Sequence, residues 1–158
     1  MRVLLVCLGN ICRSPTAEGI LRHKLEQAGL ATRVEVDSCG TGGWHIGKAP
    51  DRRAMAAAAR RGFDLSGLRA RQLEVDDFYR FDYLLAMDRD NLLVLEAWCP
   101  PDCRAHIGLF LDFAGYENKE VPDPYFGGKQ GFEKVLDLVE AGAEGLIDEL
   151  RRRLEATS

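Results

Sequence analysis

The 158-residue chain has no long apolar run. Its longest near the start, Val3 to Leu8, is far too short to cross a bilayer. No small-residue cleavage site follows it, so no secretory leader is expected. The chain also lacks an excess of positive charge. Its 21 Lys and Arg stand against 25 Asp and Glu, for a net charge of -4. That weighs against nucleic-acid binding through phosphate contacts. There is no even set of cysteines. Five of them (Cys7, Cys12, Cys39, Cys99 and Cys103) without a leader argue against a disulfide framework. Cys99-Pro-Pro-Asp-Cys103, with His106 nearby, has no matching second pair, so no metal site is expected. No repeat, low-complexity tract or Gly/Ser linker divides the chain. One domain over residues 1–158 is expected, in the cytoplasm, with no membrane, nucleic-acid or cofactor partner.

What is present alternates between strand-like and helix-like segments. Arg2 to Cys7 is a short continuous apolar run, as in a strand buried on both faces. Ser14 to Ala28 reads as a helix, with Ser14 as N-cap, Pro15 at the first helical position and Gly29 at the C-terminal cap. Arg33 to Ser38 alternates as a second strand. Asp51 to Arg61 is a helix closed by Gly62. Asp82 to Met87 is a third strand, Asp88 caps a helix through Trp98, and Ala105 to Leu111 is a fourth strand. Lys129 to Leu154 has apolar residues at helical spacing, softened or broken by Gly142 and Gly145. The order βαβαβαβα implies an α/β fold: a parallel sheet with helices on both faces. Ligands in such sheets sit at the carboxyl ends of the strands, where strand order reverses.

The loop after the first strand carries the chemistry. Cys7-Leu-Gly-Asn-Ile-Cys-Arg-Ser-Pro15 joins a buried strand to a helix N-terminus. Successive N–H groups in such a loop point inward, and the helix dipole adds positive potential. Gly9 suits a left-handed backbone position, and Asn10 tolerates one. Cys7 stands at the mouth of this anion cradle, where the N–H groups and Arg13 favour a thiolate. The Arg13 fork matches two phosphate oxygens. No Gly-Lys-Ser/Thr is present, so no nucleoside triphosphate site is implied.

This segment resembles the active-site signature of low-molecular-weight protein tyrosine phosphatases, of bacterial type. The resemblance extends over nearly the whole chain, through Asp37 to His45, Ala70-Arg-Gln72, Ala86 to Leu92 and Asp123-Pro-Tyr125. It implies a three-layer sandwich with strand order 2-1-3-4. It implies that Cys7 attacks phosphorus and forms a phosphocysteine. Arg13 and the loop residues Leu8, Gly9, Asn10, Ile11, Cys12 and Ser14 would bind the phosphate ion. Asp123 would serve as general acid and then base. Asp37, Asp88 and Asp112 are rival carboxylates by position alone, and Asp88 is more simply a helix cap. Asn10 would brace the loop with Ser38, and Ser14 would donate to the thiolate. Phosphotyrosine-containing proteins are the implied partners, with a tyrosine kinase among them.

Trp44, Tyr125 and Phe126 would wall a slot for a phenyl ring, with Leu8 and Ile11 at its rim. A related branch acting on phosphoarginine looks distinguished by threonine where this chain has Ile11, so Ile11 favours phosphotyrosine. Two departures from the pattern are Tyr125-Phe126 in place of paired tyrosines, and Leu68 where animal-type members carry histidine. Cys12 is either a packing residue or a redox partner for Cys7. Cys39 reads as core, His45 as a surface residue that could touch substrate beside Trp44, and Arg52, Arg53, Arg60 and Arg61 as a solvated helix face. Two rival functions remain open. One is an arsenate reductase relaying electrons through Cys99 and Cys103. The other is a non-catalytic phosphotyrosine-binding module.

Overall fold

β1 (Arg2–Cys7) alternates its side chains between two separate cores. Val3, Leu5 and Cys7 join one cluster, and Leu4 and Val6 join the other. Val3 to Val6 have no exposed surface. Burying each such side chain contributes roughly 1.5–3 kcal/mol, so this strand anchors both halves of the molecule. The computed structural model describes residues 1–115, 119–125 and 128–156. Phe126, expected as part of an aromatic wall, lies outside them.

β1 pairs in parallel with β2 (Glu35–Gly40) on one side and β3 (Tyr83–Ala86) on the other. β4 (His106–Leu109) pairs with β3, giving the order β2-β1-β3-β4. Order reverses at β1, between β2 and β3. α1 (Arg13–Gln27), α2 (Arg52–Arg60) and α5 (Lys129–Ala156) cover the Val3 and Leu5 face. The short α3 (Asp77–Arg80) and α4 (Arg89–Trp98) cover the face of Leu4 and Val6. The result is a single three-layer α/β domain with the expected strand order. Among the described residues, no helix is long and apolar enough to cross a membrane.

Several local expectations need correction. α1 begins at Arg13, after Cys12, and no side chain caps it. Ser14 is not the N-cap, because its hydroxyl turns back to Cys7 and Asn10. Pro15 therefore falls at the third helical position, where its missing N–H is still one the first turn leaves unpaired. β2 starts two residues later than expected, because Arg33 and Val34 close a turn onto the Leu30 carbonyl. β4 ends at Leu109, and Phe110–Ala114 winds into a 3-10 helix. α5 runs unbroken through Gly142 and Gly145. Those glycines make room: a Cβ at Gly142 would strike the Phe110 ring, and one at Gly145 would strike the Phe113 carbonyl. The expected caps do form elsewhere. Asp51 accepts N–H groups of Arg53 and Ala54, Asp88 accepts that of Asn91, and Gly29 takes φ 75° after α1.

Candidate active site

Cys7 is the last residue of β1, and the loop after it turns over at Asn10. Asn10 has φ 58°, the sole positive φ of a non-glycine among the described residues. The left-handed position is thus Asn10, not Gly9. Gly9 instead gives clearance, since a Cβ there would lie 3.0 Å from the His45 ring. His45 is accordingly a half-buried wall of the site, not a plain surface residue.

Asn10 tolerates this backbone because its side chain is fully engaged. Its Nδ2 donates to Ser14 Oγ at 2.8 Å and to Ser38 Oγ at 2.9 Å. Its Oδ1 accepts the Arg71 main-chain N–H at 3.0 Å. Ser38 in turn donates to Glu18 at 2.6 Å, and Glu18 pairs with Arg22 at 2.7 Å. Burial pushes the Glu18 carboxyl above its ordinary value, against the pull of Ser38 and Arg22. This buried chain fixes the loop from behind, since a half-satisfied polar network would be costly.

The sulfur sits inside the curve. Cys7 Sγ accepts the Asn10 N–H at 3.3 Å and lies 3.0 Å from Ser14 Oγ. Both groups can donate to a thiolate. Cys12, by contrast, is pushed up to about 12, first by burial and then by Asp51, Cys7 and Asp123. It keeps its proton at neutral pH.

Arg13 is 3% exposed and aims its guanidinium into the same space. Nη1 donates to Asp88 Oδ2 at 2.6 Å and to the Val121 carbonyl at 3.1 Å. Nη2 lies 3.7 Å from Asp123 Oδ2. Burial works against its charge, but Cys7, the Asp88 bond and the Asp88 and Asp123 charges outweigh it and tighten its hold on the proton. Asp88 therefore does more than cap a helix. Sequence reasoning missed this second duty, as well as those of Glu18, Arg71 and Val121, because their partners are distant in the chain.

A cavity of about 210 Å³ opens over these groups. Cys7, Leu8, Gly9, Ile11, Cys12, Arg13, Trp44, His45, Asp123 and Tyr125 line it. Asn10, Ser14 and Ser38 lie behind that lining, each buried. Trp44 and Tyr125 stand at the mouth, 69% and 38% exposed. Asp123 Oδ1 accepts the Tyr125 N–H at 3.0 Å, which turns the carboxylate within its loop. A larger depression of about 600 Å³ beside β2 holds no cysteine and lies away from these groups.

Cys99 and Cys103 are elsewhere. They precede β4 and pack against the core of Leu4 and Val6, with Cys103 Sγ donating to the Phe78 carbonyl, beside the amino ends of the strands. Cys7 is at the carboxyl end of β1. Four paired residues of sheet separate the two ends, roughly 13 Å of strand. Among the described residues, no group of three or more His, Cys, Asp and Glu is placed to hold a metal.

The parallel sheet thus brings a thiol, a loop N–H and a buried arginine together at its switch point, the place where α/β sheets bind ligands. The family model for low molecular weight phosphotyrosine protein phosphatases matches residues 2–156. A low molecular weight protein-tyrosine-phosphatase of Streptomyces coelicolor is 43% identical over 159 residues, covering 98% of this chain and 96% of its own. The crystal structure of a protein tyrosine phosphatase from Entamoeba histolytica superposes with a TM-score of 0.92 at 38% identity, covering 96% and 97% of the two chains. The Drosophila arginine phosphatase DARP superposes at 0.88 with 35% identity, covering 95% and 98%. The chain belongs to the low molecular weight phosphotyrosine protein phosphatase family and is an enzyme of that kind.

Proposed function

We propose that the enzyme hydrolyses aryl phosphate monoesters, phosphotyrosine in proteins above all, through a phosphocysteine on Cys7. The observation that carries this reading is that Cys7, Arg13 and Asp123 line one cavity whose mouth is aromatic. The Cys7 thiolate attacks phosphorus opposite the ester oxygen, and the bond to that oxygen breaks. Charge spreads over the three equatorial oxygens, where loop N–H groups and the Arg13 fork meet it. Asp123 gives its proton to the departing phenolate. The resulting carboxylate then takes a proton from water as that water attacks phosphorus. The P–S bond breaks, phosphate leaves and the Cys7 thiolate returns. Asn10, Ser14 and Ser38 hold the cradle in shape throughout.

Trp44, Tyr125 and Ile11 favour a flat apolar ring over a guanidinium, which would leave its N–H donors unpaired against Ile11. A phosphoserine side chain is too short to carry its phosphate past the rim. A tyrosine kinase that carries its own phosphotyrosines is a fitting protein substrate. Placement of Cys99 and Cys103 at the far end of the sheet disfavours a thiol relay from Cys7.

The test uses purified, reduced protein with peptides bearing phosphotyrosine, phosphoarginine or phosphoserine. Phosphotyrosine should turn over fastest, with phosphate release lost in Cys7→Ser. Faster release from phosphoarginine would overturn the aryl assignment. Binding of phosphotyrosine peptide with no release would mark a binding module instead.

A further inference from the structure

Arg53 plays no part in the steps above, yet its guanidinium joins three parts of the site. Nε and Nη2 each donate to Asp51, at 3.1 Å. The Asp51 main-chain N–H donates to the Ile11 carbonyl at 2.8 Å. The Arg53–Asp51 pair is therefore moored to the phosphate-binding loop. The guanidinium carbon lies 5.4 Å from the centre of the Tyr125 ring. It lies 4.9 Å from the centre of the Phe132 ring, which is buried at the start of α5. One planar cation thus meets a carboxylate, a core ring and a ring of the slot.

Tyr125 is 38% exposed and lies outside any helix or strand. A cation over an aromatic face supplies a directional contact. Arginine suits the place better than lysine, because its flat fork can bond a carboxylate and stack on a ring together. Asp51 fixes the fork, and the fork then fixes the ring.

We propose that Arg53 is a positioning residue that sets the Tyr125 wall of the slot and so determines how strongly the site prefers an aryl phosphate to phosphate alone. This rests on the reading that Tyr125 faces the substrate ring. The cradle for the phosphate itself does not depend on Arg53. Loss of Arg53 should therefore weaken binding of the ring and leave binding of the phosphate group in place.

The experiment measures calorimetric affinities for phenylphosphonate and for inorganic phosphate, and takes their ratio. Arg53→Ala should lower the ratio roughly two- to fivefold, the scale of an exposed cation–aromatic contact. Inorganic phosphate affinity should stay as in the wild type. Arg53→Lys, which keeps the charge without the fork, should fall between. In Tyr125→Ala, adding Arg53→Ala should change the ratio no further. An unchanged ratio in Arg53→Ala, or a parallel loss of both affinities, overturns the proposal. The ratio is readable without turnover. A wild type that binds both ligands but hydrolyses no aryl ester would sink the catalytic reading alone. A wild type with no preference for the phosphonate would sink this inference and the aromatic wall it rests on, and leave the phosphocysteine steps standing.

Discussion

Asp88 holds Arg13 and α4 with opposite oxygens of one carboxylate. Its Oδ2 accepts Arg13 Nη1 at 2.6 Å, and its Oδ1 accepts the Asn91 N–H at 2.8 Å. The two roles can be separated by substitution. Asparagine is as good an N-cap as aspartate, but it cannot charge-pair with Arg13. Asp88→Asn should keep the cap, lose stability only through the broken pair with Arg13, and lower kcat/KM about tenfold, since a misplaced guanidinium meets the transition state poorly. Asp88→Ala should do the same to catalysis and also cost about 1 kcal/mol of stability through the lost cap. Thermal melts beside steady-state kinetics on p-nitrophenyl phosphate distinguish the two.

Cys7→Ser should abolish turnover while inorganic phosphate still binds, because the N–H cradle and Arg13 remain. Arg13→Lys should lose both, since an ammonium cannot bond two oxygens in one plane. The drop in kcat for the lysine variant should be at least a hundredfold, the scale of removing a donor to transition-state charge. Competition by phosphate against a fluorescent aryl phosphonate gives the affinities.

Much of this site was legible in the chain because its core is local. Cys7 to Ser14 is one segment, and its place between a strand and a helix follows from the apolar run before it and the helical pattern after it. The strand order came from resemblance and matches the sheet observed. What could not be read depends on partners far away. Asp88 and Arg13 are 75 positions apart, and Asn10 and Arg71 are 61 apart. α3 was missed because it has only four residues, too few for a period, and its entry is set by Asp77 accepting the Glu74 N–H. Gly142 and Gly145 were misread for a related reason. Their purpose shows only when Phe110 and Phe113 are brought beside them.

Asp77 should set much of the acid sensitivity. Its side chain is fully buried and accepts from both terminal nitrogens of Arg71, from Arg80 and from the Glu74 N–H. Burial alone would raise its pKa, but these donors overcome that and lower it below the ordinary 3.8. The unfolded chain then binds the proton more readily than the folded one. Stability from this group is complete above about pH 4–5 and is lost as pH falls through 3.8 and below. Asp77→Asn should cost about 2–3 kcal/mol at pH 7, because Arg71 and Arg80 lose a buried carboxylate and Arg71 keeps only the more exposed Asp37. The gap between variant and wild type should close as the pH is lowered. Urea unfolding at several pH values measures it, and a constant gap would exclude Asp77 as the source.

Asp123 should matter in proportion to how badly the leaving group needs a proton. Asp123→Asn should slow phosphotyrosine hydrolysis about a hundredfold or more, within the range of general acid catalysis. An ester of a strongly acidic phenol should lose far less in the first step. Pre-steady-state bursts on such an ester should then reveal phosphoenzyme, because the second step still lacks its base. Equal rates for variant and wild type on phosphotyrosine would exclude Asp123 as the acid.

Gly145 offers a test of what holds α5 against the sheet. On helix propensity alone, Gly145→Ala in the middle of a long helix should stabilise by about 1 kcal/mol. The structure predicts the opposite sign. A Cβ at this position would strike the Phe113 carbonyl, which is backbone and cannot swing aside as a side chain could. The 3-10 turn Phe110–Ala114 would have to lift from α5, and Phe110, which is fully buried, would lift with it. Overpacking of this kind typically costs about 1–3 kcal/mol. At Gly142 the nearest atoms belong to the Phe110 ring, a side chain and not backbone, so Gly142→Ala should cost less. Val121, whose carbonyl binds Arg13, follows this turn in the chain. Gly145→Ala should therefore raise the KM for aryl phosphates modestly, while Gly142→Ala leaves it near wild type. Chemical denaturation and kinetics on both variants decide the matter, and a stabilised Gly145→Ala protein would show that α5 packs less tightly than this contact requires.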